Sequence, residues 1–122
     1  MLTRCELTQD IEERWFVAVL VFESVLAKGD NSDSSVDVQF RLIRAVDAES
    51  AYQRALALGR RDEHSYATDQ GDTCTWRFAG LQDLNVIEDA ELGHGTELYG
   101  LIEDGRAADR VVEKRDLTAF LE

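Results

Sequence analysis

Proline is absent from this 122-residue chain, and cysteine, histidine and lysine occur only twice each. Cys5 and Cys74 stand far apart with no CxxC pair, so the spacing encodes neither a disulfide framework nor a zinc knuckle. They read as two unpaired thiols of a reducing compartment, which predicts a cytoplasmic protein. His64 and His94 belong to no HxH, HxxxH or HExxH pattern, and the carboxylates show no calcium-loop spacing. No metal or other cofactor is therefore expected. With Lys28 and Lys114 as its lysines the chain has no Walker loop, and Gly93-His94-Gly95 is not a dinucleotide fingerprint. Cationic charge as a whole is short: 13 Lys and Arg face 25 Asp and Glu, a net charge of -12. A field of that sign repels phosphate backbones and anionic lipid, so direct nucleic-acid and membrane binding are not expected. Long apolar runs are missing too. The longest, Trp15–Phe22, has eight residues, against about 20 for a bilayer-spanning helix. The acidic start (Glu6, Asp10, Glu12, Glu13) is unlike a secretory leader.

What is present suffices for one core. Hydrophobic residues make up 44% of the chain, and this length predicts a single domain. Trp15–Glu23 reads as a strand that is apolar on both faces. Trp15, Val17, Val19 and Val21 lie on one side; Phe16, Ala18, Leu20 and Phe22 lie on the other, the pattern of a central strand. After the turn-rich connector Lys28–Ser35, Val36–Ile43 alternates, with Val36, Val38, Phe40 and Leu42 predicted inward and Asp37, Gln39 and Arg41 outward. Asp47–Gly59 reads as the principal helix. Asp47 caps it, Ala51, Ala55 and Leu58 form part of its apolar stripe, and Gly59 stands where a left-handed C-terminal cap is expected. Glu63–Thr68 and Thr73–Ala79 flank Asp69-Gln70-Gly71-Asp72 as a hairpin. Leu84–Glu88, Glu97–Ile102 and Arg110–Lys114 are further short strand candidates. Arg4–Glu12 and Asp116–Leu121 are short helical ones. The order strand, strand, helix, strand, strand predicts an α+β fold, a mainly antiparallel sheet with one principal helix packed on one face.

Four segments in order resemble one bacterial family of small domains, the domain of unknown function 4288. They are W-F-V-A-V-L-V-F-E-S at Trp15–Ser24, R-L-I-R-A leading into D-A-E-S-A-Y-Q-R-A-L at Asp47–Leu56, W-R-F-A-G-L-Q-D-L at Trp76–Leu84, and G-T-E-L-Y at Gly95–Tyr99. The resemblance spans about residues 15–102 and implies a shared fold; it implies no activity. It divides the chain into an N-terminal extension (1–14), one domain (15–104), and a C-terminal extension (105–122) expected to pack on that domain.

Two candidate sites follow from the residues. From Phe78 to Gly105 there are seven acids and no Lys or Arg, so over half of the net charge lies in under a quarter of the chain. Asp83, Glu88, Asp89, Glu91 and Glu97 would form a docking surface for a basic protein, since complementary charge raises the on-rate. The same acids also fit a solvated edge that keeps the chain soluble. The second candidate is the Gly-flanked turn His94-Gly95-Thr96-Glu97, with Tyr99 beside it. It gathers an imidazole, a hydroxyl and a carboxylate, enough for a ligand site or small-molecule enzyme at a subunit interface. It fits a plain turn as well. Trp76 and Tyr99 read as core more than as a ligand platform. No competent catalytic set is present, so the leading expectation is a non-catalytic protein-binding or regulatory module. The helix can cover one face of the sheet, and four apolar side chains of the first strand remain on the other. Something must cover them, which predicts a homodimer.

Overall fold

The computed structural model describes residues 12–30 and 34–121. The chain forms β1 (Arg14–Leu26), β2 (Val36–Ala45), α1 (Ala48–Arg61), β3 (His64–Ala67) and β4 (Thr73–Val86), followed by short 3-10 turns from Ala107 onward. The four strands make one antiparallel sheet in the order β2-β1-β4-β3. The doubly apolar β1 is central, as its pattern requires. The α+β architecture of the sequence reading is the one observed. The candidate helix Arg4–Glu12 and Cys5 fall largely or wholly outside the described residues. Cys74 is a buried free thiol.

The core lies between the sheet and α1. Phe16, Ala18, Leu20 and Phe22 of β1 pack with Ile43 and Ala45 of β2 and with Ala51 and Ala55 of α1. Asp47 starts the helix by accepting the Ser50 N–H at 2.8 Å, satisfying a donor that the first turn leaves open. Gly59 does not serve as the expected left-handed cap. The helix runs on to Arg61, and Gly59 has no positive φ. Its role is steric: a Cβ there would stand 2.4 Å from the Phe78 ring. Ala51, Ala55 and Gly59 are buried along one helix face, so small residues bring α1 close while rings from the sheet fill the space. Phe22 and Phe78 meet at 5.5 Å.

The segments Thr73–Ala79 and Leu84–Glu88, expected as separate strands, are largely one long strand. The register of β4 against β1 slips twice, leaving Ala79 and Gln82 unpaired, with Gly80 at φ 145 between them. Each slip moves the apolar position by one residue. Trp76, Phe78, Leu81, Leu84 and Val86 therefore all pack on the core despite uneven spacing. Beyond Ile87, whose N–H still bonds to the Trp15 carbonyl at 2.9 Å, the strand ends. Glu97–Ile102 and Arg110–Lys114 are not strands, and the expected terminal helical turn is two 3-10 turns, Lys114–Asp116 and Thr118–Phe120. Every described residue from Gly100 onward is exposed.

Candidate functional site

The register of β2 against β1 decides where the second apolar set goes. Val17 pairs with Leu42, Val19 with Phe40 and Val21 with Val38. Paired residues share a face, so Val36, Val38, Phe40 and Leu42 lie opposite the helix, not in the core under it. Asp37, Gln39 and Arg41, expected to face outward, lie on the helix side. There they form a polar ladder: Gln39 Nε2 donates to Asp37 at 2.7 Å, and Arg41 donates to Gln39 at 2.9 Å and to Asp62 at 3.0 Å. The apolar strip of β2 is left between 42% and 61% exposed.

Among the described residues, the ring of Tyr99 reaches this face. Tyr99 meets Phe40 edge to face, with ring centroids 5.2 Å apart, and its hydroxyl donates to Asp83 at 2.8 Å. Phe40 and Asp83 are the two register partners of Val19. Tyr99 thus bridges the strand at Val19, whose exposure is 0%. Donation to the Asp83 carboxylate holds the Tyr99 hydroxyl above the ordinary phenol range; partial burial and the neighbouring negative charge push the same way. Residues 97–100 act as a strap over the sheet, and a groove of about 660 Å³ opens beside it.

The predicted acids divide between two roles. Asp83 is engaged: Oδ2 accepts from Tyr99, and Oδ1 accepts the Leu84 N–H at 2.8 Å. It anchors the strap. Glu88, Asp89 and Glu97 line the groove together with Tyr99. Glu91 instead borders a neighbouring hollow beside Glu12, Glu13 and Arg44.

The second candidate set does not converge. Thr96 Oγ1 accepts the Gly93 N–H at 2.8 Å, and the Thr96 N–H returns to the Gly93 carbonyl at 3.1 Å. Gly95, at φ 84, supplies the left-handed residue that closes this turn. The hydroxyl is committed to the turn, and His94 is not among the residues lining the groove that Glu97 and Tyr99 share. Among the described residues, no three His, Cys, Asp or Glu side chains are grouped to hold a metal ion. No helix of the described chain is long and apolar enough to cross a membrane.

The feature the sequence reading missed is the open strip itself. Alternation shows that a strand has an apolar face, not which side of the sheet that face joins. The clue available was β1: a partner apolar on both sides accepts the strip on either.

A family model described as "Domain of unknown function (DUF4288)" matches residues 15–100. Comparison with curated proteins and with solved structures gave no match.

Proposed function

The chain belongs to that family, whose description assigns no activity, and from this premise we propose that it is a non-catalytic protein-binding module of the cytoplasm that docks a basic partner. The observation that carries the reading is the strip Val36, Val38, Phe40 and Leu42, exposed on an edge strand beside the acid-lined groove. A contiguous wet apolar surface of this kind is costly to leave open and is characteristic of interaction sites. An edge strand adds unpaired backbone donors and acceptors. Glu88, Asp89 and Glu97, in the groove lined also by Tyr99 that meets Phe40 of the strip, with no cation between Phe78 and Gly105, favour a partner carrying Lys and Arg beside its apolar contacts.

Site-directed photo-crosslinking in native extract tests this. A benzophenone side chain at Leu42 is expected to crosslink one polypeptide rich in basic residues, in a yield that falls as salt rises. The same group at Gln53, on the exposed side of α1, is expected to crosslink none. Equal yields from the two positions overturn the reading.

The small-molecule alternative draws support from the groove beside Glu97 and Tyr99. A ligand screen read by melting temperature tests it, with Glu97→Gln expected to cancel any shift. No shift across the screen removes it.

A further inference from the structure

Resting on the reading of the open sheet face as a docking site, though not on a basic occupant, we infer that its occupant is residues 101–121 of a second copy of this chain. The two arms exchange reciprocally in a two-fold dimer.

The face and the arm have matching needs. The arm carries Ile102, Val111, Val112, Leu117, Phe120 and Leu121, all exposed, and Ile102 wholly so. None of its 3-10 turns comes within 8 Å of the sheet or the helix, Cα to Cα. Its own contacts shape it instead: the Asp109 N–H bonds to the Arg106 carbonyl at 3.1 Å, and the Arg110 N–H to the Ala107 carbonyl at 2.9 Å. Among the described residues a single copy therefore leaves two apolar surfaces wet, one on the arm and one on β2. Two copies cover both at once, and reciprocal exchange closes the assembly so that no third copy is recruited.

Local charge is compatible with this. The stretch Phe78–Gly105 has seven acids and no cation, whereas Arg106, Arg110, Lys114 and Arg115 follow within ten residues, interleaved with Asp109 and Glu113. In one copy Arg106 pairs with Asp109, and Arg115 with Glu113. Exposed pairs of this kind hold weakly, so these cations are free to turn to Glu88, Asp89 and Glu97 of the other copy. Over residues 101–121 four cations face five acids, so the arm is nearly neutral: its apolar side chains carry the docking and its cations set only local contacts.

Reach is sufficient. From Ile102 to Leu121 an extended chain spans on the order of 60 Å, and β2, with 10 residues, is about 33 Å long. The arm leaves its own body at the strap, where Tyr99 already covers Val19. It can run along the strip of a neighbour and still place Phe120 beyond the strand's end.

Sedimentation equilibrium of the full chain at micromolar concentration is expected to give twice 13.8 kDa. Val111→Asp with Val112→Asp disables the arm, and Val38→Asp disables the face; Val36→Asp is a second face variant should Val38→Asp fold poorly by circular dichroism. Each variant alone is expected to sediment as a monomer. An equimolar mixture of arm and face variants is expected to regain dimer, because it holds one intact arm and one intact face. A wild-type monomer overturns the inference, and so does a mixture that stays monomeric. A dimer that survives the arm substitutions assigns association to the open edge of β2 and overturns it too. The two readings fail separately: a monomeric chain whose Leu42 position still crosslinks a different, basic polypeptide loses the arm exchange and keeps the docking face.

Discussion

The two sides of this sheet are covered in different ways. Under the helix, Phe16, Ala18, Leu20 and Phe22 are buried by a whole secondary element with its own cap and a stripe of small residues. On the other side, Val17 and Val19 are just as dry, but a loop crosses there and one tyrosine, pinned at Phe40 and Asp83, spans the strand. Coverage by an element extends across strands, while coverage by a strap reaches only as far as its side chains. That is why Phe16 and its register partner Ile43 are both buried, whereas Val19 is buried and its partner Phe40 is 58% exposed. The helical side holds the fold together, and the strapped side retains a surface to offer.

The difference is broken most directly on the dry side. Phe22→Ala removes a buried ring that packs on Phe78 and leaves a cavity in the core, so a loss of ~3–5 kcal/mol in urea unfolding is expected. That approaches the whole stability of a small domain. A loss under about 1 kcal/mol is what an exposed site gives, and it would place the main core on the other side of the sheet.

Gly59→Ala sharpens the same point at a smaller scale. Alanine in a helix interior gains roughly 0.5–1 kcal/mol over glycine. Here the added methyl meets the Phe78 ring, itself packed against Phe22, and overpacking costs typically 1–3 kcal/mol. Net destabilisation is expected. If Gly59→Ala instead raises the urea midpoint, the ring yields freely and the helical side is looser than its burial implies.

Much of this asymmetry was legible before the fold was known, and the rest was hidden for definite reasons. The two-faced strand, the Asp47 cap and the sheet-plus-helix class follow from periodicity and capping chemistry, both local. The continuity of β4 was not legible, because its core residues step by two, three, three and two, and the bulges that explain those steps are set by β1. The side on which Val36–Leu42 would lie was undecidable for a related reason: register is a property of a pair of strands. Of the site, the acidic stretch and Tyr99 were legible as candidates. The contact that joins Tyr99 to Asp83 and Phe40 is long-range, and nothing in the sequence spacing announces it.

Acid is expected to act on the ends of the helix and on a loop anchor. Asp47, Asp62 and Asp72 are all held below the ordinary aspartate range. The Ser50 N–H lowers Asp47, and Arg61 followed by Arg41 lowers Asp62. For Asp72 burial pushes upward, but the N–H groups of Thr73, Lys28 and Gly29 outweigh it. A folded-state pKa below the unfolded value means that the unfolded chain takes up protons first as pH falls. The stability these groups confer is therefore full above about pH 4 and is lost as pH drops through their folded-state values. Asp72→Asn is expected to lower stability at pH 7 and to flatten the acid limb of a melting-temperature profile. An unchanged limb would mean that the Lys28–Gly29 turn does not depend on the carboxylate.

The smallest effect belongs to the open strip, and its smallness is informative. Val36 pairs with Glu23 at the end of the β1–β2 ladder and is 61% exposed. Val36→Thr keeps the β-branched shape that a strand prefers and exchanges a methyl for a hydroxyl that water can satisfy. Exposed substitutions of this kind usually move stability by no more than about 0.5 kcal/mol, and urea unfolding at a concentration low enough to keep copies apart should show no more. Raising the protein concentration then separates a passive surface from a used one. If the strip is an interface, wild type gains stability with concentration through mass action, and Val36→Thr gains less. If both chains gain stability equally with concentration, Val36 lies outside whatever the strapped side binds, and the interface narrows to Val38, Phe40 and Leu42; if neither gains, the strip is no interface between copies.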